Sequence, residues 1–239
     1  MPNALVRKLQ LHALLPADDV KFLLSLSERP RLVPARSHIA REGDAPKGTY
    51  AVLDGLVCRY KATVDGRQQN VSYLLPGDFC DIHVRMLRER DHTLRTVIPS
   101  HVIDVSERDI EEMATRPALA QALWWATLVN ESILREWLIN IGSRPAPQRI
   151  AHFFAEVFFR YRAIGQAEEP ALQLPILQLD LAETVALTSV HTNRTLQLLS
   201  RMGLISTKNR RITLLDYEGL KDFGGFSPTY LHIDIGPRA

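Results

Sequence analysis

A chain of 239 residues with 46% apolar, 23% charged and only 7% aromatic side chains has the composition of a globular protein with one or two cored domains, which excludes disordered, collagenous and rod-like coiled-coil classes. No apolar run approaches the roughly 18 to 20 residues of a membrane span, the densest being residues 122–129, and the N-terminus lacks the order of a signal peptide, so a cytoplasmic chain without membrane contact is expected. Net charge is +2, and two cysteines, Cys58 and Cys80, exclude a disulfide framework and the usual four-thiolate iron–sulfur cluster.

Residues 4–28 read as helix in pieces, the second piece opened by Pro16-Ala17-Asp18-Asp19. From His38 to about Val105 the period changes to short β-branched or aromatic runs. Turn chemistry separates them at Gly43-Asp44, Asp54-Gly55, Asp65-Gly66 and Pro76-Gly77-Asp78. Turns every 10 to 12 residues predict antiparallel hairpins closing into a small barrel or sandwich.

The helix period returns with a short helix over residues 107–113 and a long one over 117–142. Leu119, Leu123, Trp124, Leu128, Ile133, Leu134, Trp137, Leu138 and Ile141 cover more than one face of the long helix. Such a helix is buried on two sides, either wholly inside its own domain or partly in a dimer seam. Its length and the break after it favour the seam, with Leu123, Leu134, Trp137 and Ile141 in the interface. The break, Gly142-Ser143-Arg144-Pro145-Ala146-Pro147, reads as a hinge. Beyond it Ile150, Phe153, Phe154, Val157, Phe158 and Tyr161 form the stripe of one amphipathic helix, and residues 170–178 an extended connector.

Asp180-Leu181-Ala182-Glu183 has the spacing of a capping box, opening a helix of two turns. Leu187-Thr188-Ser189 interrupts it, and a second helix follows over residues 190–202. Thr192, Thr195, Leu196, Leu199 and Met202 gather on one face of that helix. Val190, Asn193, Arg194, Gln197 and Arg201 gather on the other, a set of amide and guanidinium groups suited to base edges in the major groove. Helix, short turn and such a helix define a helix-turn-helix, against the plainer reading of a helical hairpin with a polar outside. Gly203 ends the second helix, and a hairpin follows with Lys208 and Arg210 at its tip, placed as a wing to touch phosphate. Residues 184–215 hold Arg194, Arg201, Lys208, Arg210 and Arg211 and no carboxylate, which also points to a polyanion. Asp216 then caps a last short helix.

Enzyme motifs are missing. Gly43-Asp44-Ala45-Pro46-Lys47-Gly48-Thr49 has the residue types of a phosphate loop in the wrong order, and neither a Gly-x-Ser-x-Gly elbow nor His-Glu-x-x-His occurs.

In this order, barrel, long helix, hinge and winged reader, the chain resembles the Crp/Fnr superfamily of bacterial transcription regulators. The best marks are Pro76-Gly77-Asp78-Phe79, Gln148-Arg149-Ile150-Ala151 and residues 189–205. The resemblance implies an α+β chain in three parts: a cyclic-nucleotide-binding-like β-roll or jelly-roll sensor (1–116), a dimerisation helix and hinge (117–143), and a winged helix-turn-helix (144–239). It implies a homodimer on palindromic double-stranded DNA, with RNA polymerase as a partner. It places base reading on Ser189, Val190, Asn193 and Arg194, with the arginine on a guanine, Gln197 beside them, and Thr188 and His191 near phosphate. Val190 departs from the glutamate of many members, so contact with a thymine methyl replaces reading of a cytosine.

The sensor departs further. Members that bind cyclic AMP use a Gly-Glu pair and then Arg-Ser or Arg-Thr, and hydroxyl residues on the long helix. The effector-pocket positions here are Cys80, Asp81 and His83 after Phe79, Arg90-Asp91 in place of the Arg-Ser pair, and Leu134-Arg135 in place of the hydroxyls. Asp91 is expected to repel a phosphate, so cyclic AMP is not the expected ligand, and no cofactor or metal is predicted. The alternatives within the fold are a haem sensor, since Cys80 and His83 echo a haem-binding pair at a different separation, with Pro2 exposed if Met1 is removed, and a redox thiol at Cys80. The alternative outside it is an interaction module of the same barrel without DNA binding.

Overall fold

The computed structural model describes residues 3–82, 86–167, 173–174, 176–208 and 211–233, the side chains of Gln173 and Arg211 excepted. It divides into two compact units, Met1–Gly66 with Ser72–Glu131, and Arg67–Val71 with Ser132–Ala239.

The first unit opens with α1 (Ala4–Gln10) and α2 (Ala17–Leu26), continues through eight strands, residues 68–71 of the fifth being assigned to the second unit, and closes on α3 (Glu107–Thr115) and the first half of α4 (Pro117–Ser143). The strands are β1 (Arg31–Val33), β2 (His38–Ala40), β3 (Gly48–Asp54), β4 (Val57–Ala62), β5 (Gln68–Leu74), β6 (Phe79–Cys80), β7 (Thr93–Thr96) and β8 (Ser100–Ser106). They form two four-stranded sheets, ordered β1-β8-β3-β6 and β2-β7-β4-β5, in which β1 with β8, β8 with β3, β3 with β6, β2 with β7 and β7 with β4 pair antiparallel. Apolar alternation explains the layering: Val33, Val52, Val57, Leu74, Cys80, Leu94 and Val102 fill one core cluster. A second cluster joins Leu5, Leu9 and Leu23 of the N-terminal helices to Ala51, Ile103, Met113 and Leu123.

The Pro76-Gly77-Asp78 turn shows why that motif has its composition. Gly77 has φ +91°, and a Cβ there would stand 2.5 Å from the Ala4 carbonyl, so only glycine lets α1 approach. Asp78 Oδ2 accepts the Leu75 amide at 2.8 Å while Oδ1 meets Lys8 Nζ at 3.0 Å. The turn is thus tied to α1 by a largely buried ion pair.

The second unit takes the rest of α4, then α5 (Ala146–Ala163), β9 (Gln173–Leu174), α6 (Gln178–Val185), α7 (Ser189–Arg201), β10 (Ile205–Lys208), β11 (Arg211–Leu214) and α8 (Tyr217–Gly224), ending in a 3-10 turn, Pro228–Leu231. Its core helix departs from the expected amphipathic stripe. Every side chain of α5 from Ile150 to Tyr161 is buried, including His152, Glu156 and Arg160, because α6, α7 and α8 all pack on it. Gly224 lets α8 approach α5 closely: a Cβ there would meet the His152 amide nitrogen at 2.4 Å. Three donors of this layer converge on the Glu156 carboxylate. Glu156 accepts from Trp137 Nε1 at 3.0 Å, Tyr230 Oη at 2.7 Å and Arg160 Nη1 at 3.2 Å.

That network corrects the expected seam. Trp137 is turned into its own chain, edge-on to Phe153, and Leu123 lies in the barrel-side core, so neither is free for a partner. Ile141 is half-buried. The apolar side chains α4 leaves exposed are Trp124, Leu128, Leu134, Leu138 and Ile139.

Candidate nucleic-acid interface

α6 is capped by Ala186, a non-glycine residue in the left-handed region (φ +53°), and α7 starts three residues later at Ser189. Thr188 is the N-cap of α7, its hydroxyl accepting the His191 amide at 3.2 Å. The expected capping box at the start of α6 is not formed. The helix begins at Gln178 behind an extended Leu177, which puts Asp180 inside the first turn with its side chain buried. A carboxylate there still suits the positive end of the helix, though it no longer caps it.

α7 is sided as its sequence predicts, with Thr192, Thr195, Leu196 and Leu199 buried. Met202, expected on that face, is the C-cap residue and is exposed. Thr188, Ser189, Val190, His191, Asn193, Arg194, Gln197 and Arg201 are all exposed. The amides are organised among themselves: Gln197 Nε2 donates to Asn193 Oδ1 at 2.9 Å, and Gln178 Nε2 donates to the Ser189 carbonyl at 3.0 Å. Gln178 escaped the sequence reading because it falls in the expected connector; it joins the start of α6 to the start of α7. Arg194 makes no ion pair among the described residues. With Val190, His191 and Arg201 it lines an open groove of about 430 Å³.

The wing is antiparallel, β10 pairing β11 from Ile205↔Leu214 to Lys208↔Arg211. A third strand, β9, adds to it at Ile212↔Leu174 within the expected connector. Lys208 is exposed at the end of β10; Arg210 lies outside the described residues.

The effector-pocket residues divide. Cys80 is fully buried in the barrel core, where loss of solvation and the neighbouring Asp81 charge push its thiol pKa far up, so it is a packed side chain and no reactive thiolate. His83 and Pro2, the other residues of the haem reading, lie outside the described residues. Leu134 and Arg135 are exposed on α4 in the other unit, Arg135 donating to Ser132 Oγ at 2.9 Å. Asp91 is not the anion that fills the barrel site: its side chain is 70% exposed and pairs with His92 Nδ1 at 2.6 Å. The anion turned into the barrel is Asp81, its side chain 16% exposed. It meets the Arg59 guanidinium, His92 Nε2 at 2.7 Å and Arg90 Nη1 at 3.6 Å. Burial works against this carboxylate's ionisation, but the His92 hydrogen bond and the Arg59 and Arg90 charges outweigh it and hold the pKa below the usual range. Arg59 and His92 were not legible as pocket residues; the only signal was a charged side chain between Cys58 and Tyr60 in a strand otherwise buried there.

Two stacked antiparallel sheets followed by a winged helix-turn-helix define a class, the barrel-plus-reader regulators. A cyclic nucleotide-binding domain family matches residues 30–116 and a Crp-like helix-turn-helix domain family matches residues 148–223. The chain is 30% identical to the nitrogen fixation regulation protein FixK of Bradyrhizobium diazoefficiens over 177 residues, 73% of each chain. It is 27% identical to the transcriptional activator protein FnrL of Cereibacter sphaeroides, over 77% of this chain and 75% of that one. The solved structure of FixK2 from Bradyrhizobium japonicum superposes with a TM-score of 0.72 at 23% identity, covering 82% of this chain and 96% of that one. The chain belongs to the Crp/Fnr family of DNA-binding transcription regulators. Among the described residues no helix is long and apolar enough to cross a membrane.

Proposed function

We propose that this regulator binds palindromic double-stranded DNA as a two-fold dimer in the cytoplasm, without a bound cofactor, without cyclic AMP and without catalysing a reaction. Ser189, Val190, Asn193, Arg194 and Gln197 read bases, while Thr188, His191, Lys208 and Arg210 stand at phosphate. The observation that carries this reading is the exposed N-terminal half of α7, where a guanidinium without an ion pair among the described residues sits beside two amides already hydrogen-bonded to each other. Preset side chains lose less freedom on binding, and the positive end of α7 favours a nearby phosphate.

The exposed apolar stripe of α4, Trp124, Leu128, Leu134 and Leu138, supports the dimer, because a stripe of this length is costly to leave in water. A two-fold axis there sets two recognition helices about 34 Å apart, one turn of the duplex. The family supports RNA polymerase as the downstream partner. The buried thiol of Cys80 weighs against the redox and haem readings.

The test is a binding series on an operator selected from random DNA. Arg194→Ala is expected to cost roughly 1–3 kcal/mol per half-site and relax preference at one base pair. Lys208→Ala is expected to weaken all sequences alike and shallow the salt dependence by about one unit of slope. If Arg194→Ala weakened every sequence equally while Lys208→Ala changed base preference, the assignment of reader and clamp would be reversed.

A further inference from the structure

The surroundings of Asp81 are unusual in three independent ways. First, it is a non-glycine residue at φ +60°, a left-handed conformation uncommon outside glycine, asparagine and aspartate, which sets the direction of its side chain. Second, its carboxylate is the group on which two guanidiniums, Arg59 and Arg90, of which Arg90 is 2% exposed, and the His92 imidazole converge, while Asp91, 70% exposed, reaches only the far nitrogen of His92. Third, two oxygens do not satisfy the donors facing them. The Arg90 Nη1 to Asp81 distance of 3.6 Å is an ion pair too long for a hydrogen bond, and among the described residues the buried Arg90 Nη1 and Arg59 Nε have no hydrogen-bond partner. The remaining groups around the cluster are fixed elsewhere. Arg90 Nη2 donates to the Gly48 carbonyl at 2.9 Å, its guanidinium lies over the Tyr50 ring, Asp91 is taken by His92 Nδ1, and Lys61 donates to the Asp91 carbonyl.

We propose that Arg59, Arg90 and His92 form a site for a phosphate-type oxyanion that is occupied in this chain by its own Asp81, a tethered substitute for a ligand. Buried cations require a counter-anion, and a carboxylate supplied by the adjacent backbone is always present at high effective concentration. A free oxyanion must displace it to enter. The barrel therefore rests in its occupied arrangement whatever the level of small phosphorylated molecules. The left-handed backbone at Asp81 aims the carboxylate inward. This inference rests on the reading that the regulator needs no cyclic nucleotide, and it supplies the reason.

Removing the tether opens the site. Asp81→Gly suits the left-handed backbone and deletes the carboxylate; Asp81→Asn keeps that backbone and the side-chain volume but removes the charge. Inorganic phosphate and cyclic AMP are titrated calorimetrically into wild-type protein and both variants, with melting temperatures in phosphate and in chloride at matched ionic strength. The expected result is no binding by wild type, and about 100-fold or more tighter oxyanion binding by Asp81→Gly, with phosphate raising the variant's melting temperature or restoring its fold. Phosphate alone binding assigns a simple oxyanion site; cyclic AMP binding more tightly assigns a nucleotide site; either supports the proposal. Variants that gain neither affinity nor stability from either anion, folded or not, overturn it. Wild type binding cyclic AMP as tightly as the variants overturns both the tether and the cyclic-AMP-independent reading, whereas a silent wild type with silent variants overturns the tether alone.

Discussion

Arginines sit in two contrasting settings. In the barrel, the buried Arg90 and the largely covered Arg59 are turned onto an internal carboxylate, Asp81, whose backbone is left-handed. On α7, Arg194 is exposed, its neighbours Asn193 and Gln197 are bonded to each other, and no carboxylate lies between residues 184 and 215. The same side chain closes a site in one place and offers one in the other. Burial and an intramolecular partner, and not residue type, decide which it does.

The largest effect that tests this contrast is on stability. Arg90→Ala leaves Asp81 short of a buried partner and is expected to lower unfolding free energy by roughly 3–5 kcal/mol, read by chemical denaturation. Arg194→Ala is expected to change it by less than about 0.5 kcal/mol while weakening specific DNA binding. Equal stability losses would erase the distinction between the two settings.

A second pair sharpens it along α4. Trp137→Glu places a carboxylate beside buried Glu156 and is expected to unfold the second unit, at a cost of several kcal/mol. Leu138, 74% exposed one residue further on, is expected to tolerate glutamate without loss of monomer stability while sedimentation shows the dimer dissociating. A stable Leu138→Glu dimer would move the seam off this helix.

The smallest effect is a pH dependence. Burial, the largest cause, lowers the pKa of His152 below the ordinary 6.5, so the folded chain binds the proton less readily than the unfolded one. The stability this supplies is complete above pH 6.5 and is lost as pH falls below it. His38, also lowered, first by burial and then by Arg41 and Arg95, adds in the same direction. His152→Gln is therefore expected to reduce the slope of unfolding free energy against pH below 6.5 without removing it. An unchanged slope would show that the network around Glu156 carries no proton linkage through His152.

Read from residues alone, the chain yields the order of its parts. The barrel turns, the long helix, the Thr188 cap, the exposed face of α7, the wing hairpin and the Asp216 cap are set by short-range chemistry: turn residues, periodicity and side chains that bond a backbone amide three residues on. Tertiary structure decided the rest. α5 is buried all round because three helices cover it, and Trp137 turns inward because Glu156, 19 residues away, needs its proton. Asp180 lies inside α6 because that helix starts earlier, and β9 exists only because β11 offers it an edge. The anion in the barrel is Asp81 and not Asp91 because the packing of one sheet on the other brings Arg59 of β4, 22 residues away in sequence, to the end of β6. A local pattern states which residues a backbone segment can satisfy by itself. Which charge is buried, and against what, depends on partners that only the folded chain brings within a few ångströms.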